Sequence, residues 1–333
     1  MAIINGTNAS EYIPGTGYRD IIFGNGGNDT LRGFGGDDDL YGGKGNDYLD
    51  GGPGDDNIVG GDGGNDLEGG RGFDWFIMST RGAGFSDDWI LDFEFNFDRI
   101  DVSQWGVSDF SQLKELLRTD SGGNAFLNAG NGGYDHFLTV GNVFASELIS
   151  SDFIFSNAGA KSETGTASFD TLFGSRFADI LDGAGGNDVL LGGIGADTLR
   201  GGTGTDRLVG GVGNDTIDGG AGRDNLSGGA GRDVFLFRSI AESSPGNYDV
   251  ITDFQPDLDI INLAKIDAIA GTAGNQQFTF IGGADFTAAG QVNFSHAGGN
   301  TTIITANVNG DLAADFRVVI NGIFTPIAAD FVL

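Results

Sequence analysis

The chain has 333 residues, a net charge of −30 and a pI near 4.1. Acidity on this scale argues against nucleic acid and anionic membranes as direct partners. There is no cysteine, so no disulfide staples the fold, and no apolar run approaches the roughly 18 residues that a membrane span needs.

Residues 1–77 read as a first repeat domain. Met1-Ala2-Ile3-Ile4-Asn5 leads almost directly into it, without the basic and apolar regions of a signal peptide, so a cleaved Sec leader is not expected. From Gly6 a nine-residue pattern, Gly-Gly-x-Gly-x-Asp-x-U-x with U apolar, runs in register through eight copies to residue 77. Gly42-Gly43-Lys44-Gly45-Asn46-Asp47-Tyr48-Leu49-Asp50 shows it plainly. The eighth position is always apolar: Ile13, Ile22, Leu31, Leu40, Leu49, Ile58, Leu67 and Phe76.

Each repeat divides into a six-residue Gly-rich turn and a three-residue strand whose central side chain points inward. Strands this short cannot bury enough surface alone, so they have to stack. Two repeats per coil would line a narrow interior with the position-8 side chains. The expected class is therefore all-β, with parallel β-rolls.

The sixth position carries Glu11, Asp20, Asp29, Asp38, Asp47, Asp56, Asn65 and Asp74. With two repeats per coil, each carboxylate sits one strand spacing, about 4.8 Å, from the carboxylate two repeats on. Two bare charges at about 4 Å repel by roughly 4 kcal/mol at an effective dielectric near 20. A column of them opposes folding unless a cation lies between the turns. Ca²⁺ fits best, because it accepts six to eight hard oxygen ligands in a flexible shell, and the turns offer carbonyls beside the carboxylates. Mg²⁺ would demand a stricter octahedron, and Zn²⁺ would want the Cys or His these turns lack. Glu11 and Asn65 break the pattern on the same wall of the coil, so the Glu11/Asp29 and Asp47/Asn65 sites are expected to be the weakest. The neighbouring Asp62 and Asp66 could substitute for Asn65.

Residues 78–155 form a Phe-rich cap of β-sandwich type, as needed to cover an open coil end. Within it, residues 109–118 predict a short amphipathic helix with an Asp or Ser N-cap. Residues 156–164 read as a linker. A second repeat domain follows over 165–236, again of eight copies, with Asp170, Asp179, Asp188, Asp197, Asp206, Asp215, Asp224 and Asp233 at the sixth position. Residues 237–333 form a second cap. The halves look like a duplication offset by 159 residues: Asp88-x-Ile90-x-Asp92-Phe93 parallels Asp249-x-Ile251-x-Asp253-Phe254. Those carboxylate pairs are candidate ion ligands where roll meets cap. Asn307-x-Asn309-Gly310-Asp311 is a lesser candidate calcium loop, with a surface turn as the alternative. Both blocks together offer pairs for up to roughly twelve Ca²⁺ if each pair binds one ion.

Taken together, the chain resembles the RTX (repeats-in-toxin) family, and in particular the β-roll and C-terminal portion of serralysin-type proteins, duplicated in tandem. The resemblance implies Ca²⁺ held between turns by position-6 carboxylates and turn carbonyls. It also implies export through type I ABC secretion machinery with an uncleaved C-terminal signal, here ending Asp330-Phe331-Val332-Leu333. Family members stay disordered at low calcium and fold outside the cell, so a secreted or cell-surface protein of a Gram-negative bacterium is expected.

The zinc protease motif H-E-x-x-H, a G-x-S-x-G elbow and a Cys nucleophile are absent, and His136 and His296 are isolated, so no catalytic residues and no enzyme are expected. A structural or adhesive role is the leading expectation. A calcium-dependent carbohydrate-binding protein, resembling the accessory modules of alginate epimerases, is the alternative; Arg32, Tyr41, Tyr48, Trp75, Arg200 and Arg207 at outward positions are its candidate contacts for polysaccharide.

Overall fold

In the computed structural model of the chain, residues 1–78, 86–128, 136–156, 159–298 and 300–333 are described. The chain divides into two compact units, Met1–Ala158 and Gly159–Leu333. Each is a β-roll of two mainly parallel sheets, and in each the strands of successive repeats alternate between the sheets.

In the first unit one sheet stacks Ile3–Asn5, Ile21–Gly26, Asp39–Lys44, Asn57–Asp62 and Trp75–Ile77 in that order. The other stacks Tyr12–Pro14, Thr30–Arg32, Tyr48–Pro53 and Asp66–Arg71. The register is constant: Ile22 faces Leu40 and Leu40 faces Ile58, while Leu31 faces Leu49 and Leu49 faces Leu67. Each step is 18 residues, two repeats per coil. The second unit repeats the arrangement, with Leu172, Leu190, Leu208 and Leu226 in one file and Leu181, Leu199, Ile217 and Phe235 in the other.

These position-8 side chains are the core, and all are buried. Fully burying one Leu or Ile stabilises by about 1.5–3 kcal/mol. A stack of such residues can hold strands of three to seven residues that would not persist singly.

The caps lengthen the same two sheets. In the first unit Ile90 pairs with Leu67, and Ile100 with Phe76 and then Phe153. In the second, Ile251 pairs with Leu226 and Ile261 with Phe235 and Phe331. The core of the second unit accordingly runs without a break from Leu172 through Phe237 and Ile320 to Phe331. Beyond this, antiparallel strands close one sheet of each unit: Ala125–Asn128 against His136–Val140, and Gln291–Ala297, Thr301–Asn307 and Phe316–Asn321 in succession. The expected helix is present as Phe110–Leu116, capped by the Asp109 side chain, which accepts from the Ser111 and Gln112 amides, with Leu113 buried. Ser162–Thr164 pairs with Ile180–Asp182, so ordered structure of the second unit begins inside the segment expected to be a linker.

Candidate metal centres

The position-6 residue immediately precedes each strand, so its side chain falls between adjacent coils. One carboxylate oxygen has a structural partner. Asp38 Oδ1 accepts the main-chain N–H of Asp20 at 2.7 Å, Asp56 that of Asp38 at 2.7 Å, and Asp74 that of Asp56 at 2.9 Å. On the opposite wall Asp29 accepts from Glu11 and Asp47 from Asp29, both at 2.8 Å. In the second unit the links run Asp170–Asp188–Asp206–Asp224 and Asp179–Asp197–Asp215–Asp233. A short side chain with two oxygens is needed: one caps the turn below and the other remains.

That second oxygen is buried and has no protein partner at Asp29, Asp38, Asp47, Asp56, Asp74, Asp188, Asp197, Asp206, Asp215, Asp224 and Asp233. A buried acceptor without a partner costs about 1–3 kcal/mol, and more when charged. Burial, and after it the neighbouring carboxylates, pushes the carboxyls up: Asp38, Asp47, Asp188, Asp197 and Asp233 to about 6. Asp74, Asp215 and Asp224 rise to about 7, and Asp56 to about 8. The protein alone does not stabilise these groups as anions.

The glycine at position 1 leaves space beside each orphaned oxygen. A Cβ on Gly42 would lie 2.5 Å from Asp47 Oδ2 and 2.5 Å from the Gly60 carbonyl oxygen, one coil on. On Gly192 it would lie 2.5 Å from both Asp197 Oδ2 and the Gly210 carbonyl oxygen. Carboxylate and carbonyl oxygens therefore converge on one small space per turn. Among the described residues no three His, Cys, Asp or Glu side chains form a cluster, so carbonyls must complete any shell. An all-oxygen set of this kind fits Ca²⁺, which would neutralise the stacked charges and tie consecutive coils. Gly42→Ala should lower the calcium-loaded melting temperature by several degrees and weaken the Asp47 site. Calorimetry and calcium titration check this; a wild-type profile in both would show that the space is not needed.

The ends of the columns are closed differently. The Asp20 carboxylate accepts from the Thr16 amide and hydroxyl, both at 2.7 Å, and from the Ala2 amide. Burial works to raise this carboxyl, but those hydrogen bonds outweigh it and hold it below its ordinary value. Glu11 accepts from the Thr7 amide at 2.5 Å, Asp170 from the Thr166 amide and hydroxyl, and Asp179 from the Ser175 amide and hydroxyl. The first two repeats of each roll thus carry Thr or Ser at position 2, and its polar groups occupy an oxygen that elsewhere lacks a partner. Asp170 Oδ1, with no coil before it, stays buried and unpartnered.

At the other end the caps add carboxylates that the repeat register does not contain. Asp98 accepts the Asp74 amide at 3.1 Å and the Glu94 amide at 2.7 Å. Asp259 accepts the Asp233 amide at 3.0 Å and the Gln255 amide at 2.8 Å. Each ends a column with both oxygens satisfied. The signal for them is the triplet Asp-x-Ile, as in Asp98-Arg99-Ile100 and Asp259-Ile260-Ile261, which keeps positions 6 to 8 of the repeat after its glycines are lost.

Asn65 takes the place of an Asp in geometry: its Oδ1 accepts the Asp47 amide at 3.0 Å, and its Nδ2 donates to Asp88 Oδ1 at 2.7 Å. Asp88 and Asp92, expected as a joint ion site, are used separately. The Asp92 oxygens accept the Gly69 and Gly70 amides at 2.9 and 2.8 Å. Asp253 likewise takes the Gly228 and Gly229 amides and the Ser227 hydroxyl, apart from Asp249. The Asn307 loop is a closed turn: Asn307 donates to the Ala313 carbonyl, Asp315 accepts from Val308 and Asn309, and Asp311 accepts from Ala313. Its polar atoms are turned on one another and present no set of oxygens to an ion.

The outward residues named for polysaccharide lie on different faces. Tyr41 and Trp75 belong to one sheet of the first unit, where Tyr41 stacks on Phe23 with centroids 4.9 Å apart. Arg32 and Tyr48 belong to the other, engaged by Asp50 and Glu68 respectively. Arg200 and Arg207 fall on opposite sheets of the second unit. His296 is exposed and its Nε2 lies 2.8 Å from the Phe324 carbonyl oxygen; His136 opens the strand His136–Val140.

Residues 171–333 match the family described as peptidase M10 serralysin C terminal, and residues 14–49 and 41–76 match the RTX calcium-binding nonapeptide repeat. No curated protein matches the chain. Among solved structures, the AlgE6R3 subunit of the Azotobacter vinelandii mannuronan C5-epimerase is 22% identical with a TM-score of 0.25, over 52% of this chain and 77% of that one. The AlgE6R2 subunit of the same enzyme is 23% identical with a TM-score of 0.31, over 53% and 93%. The extracellular lipase LipA of Serratia marcescens is 16% identical with a TM-score of 0.25, over 98% of this chain and 40% of the lipase. The chain thus carries RTX calcium-binding nonapeptide repeats over residues 14–76 and a serralysin-type C-terminal domain over residues 171–333.

Proposed function

We propose that this is a secreted protein whose rolls fold on binding calcium outside the cell, and that it serves a structural or adhesive role at the cell surface or in the extracellular matrix. RTX repeats are typical of secreted proteins, and among the described residues no helix is long and apolar enough to cross a membrane. Four columns of buried carboxylate oxygens without protein partners carry the reading. The position-6 residues from Asp29 to Asp74 and from Asp188 to Asp233, together with Asp170, are the proposed ligands, with Glu11, Asp20 and Asp179 as ends that need the ion least. The domain division is proposed as two rolls, 1–77 and 165–236, with caps over 78–155 and 237–333 and a short linker over 156–164. The serralysin-type C-terminal domain supports a reading of export by type I ABC machinery. On this reading the chain stays unfolded at low calcium and folds after passage.

The role is tested by binding the full chain to bacterial cells in calcium and in EDTA, beside its melting temperature with saturating extracellular polysaccharide such as alginate. Calcium-dependent attachment with no thermal shift supports the adhesive role. A rise of several degrees with polysaccharide, and no attachment to cells lacking it, would establish the carbohydrate-binding alternative instead.

A further inference from the structure

In each roll one edge is apolar and the other is not. In the first unit the turns 15–20, 33–38, 51–56 and 69–74, and the cap turn 91–98, all lead from the sheet of Tyr12–Pro14 to that of Ile21–Gly26, so they stack along one edge. That edge carries Tyr18, Phe34, Phe73 and Phe97, each between 46% and 75% exposed, with the Phe73 and Phe97 rings 5.3 Å apart. In the second unit the equivalent turns carry Phe177, Ile194, Val212 and Leu258, between 40% and 54% exposed. The four repeat turns on the opposite edge of each roll expose no large apolar side chain except Phe169. Exposed apolar groups gathered in one file mark an interaction surface.

The turns hold these side chains in place, Gly54 donating to the Arg71 carbonyl at 2.9 Å and Gly195 to that of Val212 at 2.8 Å. Phe34 stands at φ +76°, where the next two coils have Gly52 and Gly70 at +99° and +97°. A bulky residue in the left-handed region is strained, and Phe34, nearly half exposed, does not offset this by filling the core. The two edges also differ in charge. Exposed beside the aromatic rings are Asp37, Asp55 and Glu94 against Arg71, while Arg19 is already paired with Asp39 at 3.0 Å. Exposed beside the second unit's apolar residues are Arg176 and Arg232 against Asp257. Neither edge complements a copy of itself, but the two complement each other.

We infer that the acidic aromatic edge of the first unit in one copy of the chain docks on the basic apolar edge of the second unit in another, so that calcium-loaded chains associate head to tail. The contact is heterologous. Each copy uses a different surface, so a pair still has one free edge of each kind and growth continues past the dimer. Both edges are built from the turns that close the proposed calcium sites, so they exist as surfaces only in the loaded chain. The inference rests on the reading of a calcium-folded structural protein and gives that role its partner, a further copy of the same chain.

Sedimentation velocity and light scattering of the full chain in saturating calcium, over a range of concentrations, test this. The mean mass is expected to rise with concentration beyond twice the 34.4 kDa of one chain, and to fall with added salt. Two variants separate the edges: Phe34→Gly with Phe73→Ser removes the aromatic edge, and Arg176→Glu with Arg232→Glu reverses the charge of the other. Each alone is expected to stay monomeric, and their mixture to stop at a dimer, because only one matched pair of edges remains. The first variant relieves the strained turn, so it is expected to melt no lower than the wild type in calcium. A wild-type chain that folds on calcium yet stays monomeric at every concentration, or stops at a dimer, would overturn this inference alone. Attachment of that monomer to cells would leave the adhesive role in place, and its sedimentation with zwitterionic lipid vesicles would assign the apolar edges to a membrane surface instead. Circular dichroism indifferent to calcium would remove the calcium reading and this inference with it. If either variant does not fold, the mass of the wild type decides.

Discussion

Chelation with EDTA at pH 8 is expected to remove most of the parallel-sheet signal in far-ultraviolet circular dichroism and to expand the chain toward the unfolded dimension, about 65 Å for this length. The reason is local. Asp56 is squeezed between Asp38 and Asp74 in one column, each with an oxygen turned into a dry turn, and among the described residues no group pairs with those oxygens. Each occupied site contributes about 2.7 kcal/mol when free calcium is a hundred times the dissociation constant. Several sites per roll thus supply as much as the whole net stability of an ordinary domain, about 5–15 kcal/mol. The caps should lose structure with the rolls. Ile251 and Ile261 bury themselves against Leu226 and Phe235, so the core of the second unit is one body. The antiparallel strands Gln291–Ala297, Thr301–Asn307 and Phe316–Asn321 of the second unit, and Ala125–Asn128 with His136–Val140 of the first, hydrogen-bond among themselves, and they account for the residual signal. Calcium titration of the metal-free chain should be sigmoidal, because one ordered turn presents ligands to the next. Circular dichroism and small-angle scattering unchanged by EDTA would refute the calcium reading of the columns.

The parts of this architecture visible in the residues are those that obey the period. Leu49 and Leu67 lie two repeats apart and meet in register, because a nine-residue unit used twice per coil leaves no freedom in pairing. The same regularity located the columns of carboxylates and the break in one of them at Asn65. The closing elements are hidden because they abandon the period. Leu67 finds Ile90 after 23 residues and Phe76 finds Ile100 after 24, so no fixed spacing marks Asp98 or Asp259 as column ends. Thr16 and Ser175 read as lapses from a glycine pattern, whereas their hydroxyls give a partner to a carboxylate oxygen that has none further in. Which partner an oxygen finds is a three-dimensional matter. Asp88 and Asp92 look like a pair in sequence, yet Asp88 lies within the strand Ser86–Ile90 and Asp92 beyond its end, so that one meets Asn65 and the other the Gly69–Gly70 turn.

The metal-free and calcium-loaded chains should respond to pH with opposite signs. In the metal-free fold burial raises Asp38, Asp47, Asp188, Asp197 and Asp233 to about 6, Asp74, Asp215 and Asp224 to about 7, and Asp56 and Asp249 to about 8. In the unfolded chain they titrate near 3.9. Between those limits the folded state holds more protons, so its stability falls as pH rises, and the loss is complete above about 8. In EDTA the rolls should therefore regain β structure on going from pH 8.5 to about 5.5, which is still above the pI near 4.1. Calcium requires the same oxygens deprotonated, so loading releases protons and its affinity should rise with pH through the same window. Circular dichroism across pH 5.5–8.5, with EDTA and with calcium, measures both slopes. Parallel slopes would mean that the groups titrating there are not the ones that bind the ion. Crossing slopes would mean that protons and calcium compete for one set of buried oxygens. Acidification would then substitute in part for the metal, by placing a proton on the kind of oxygen that at Asp20 accepts the Thr16 hydroxyl.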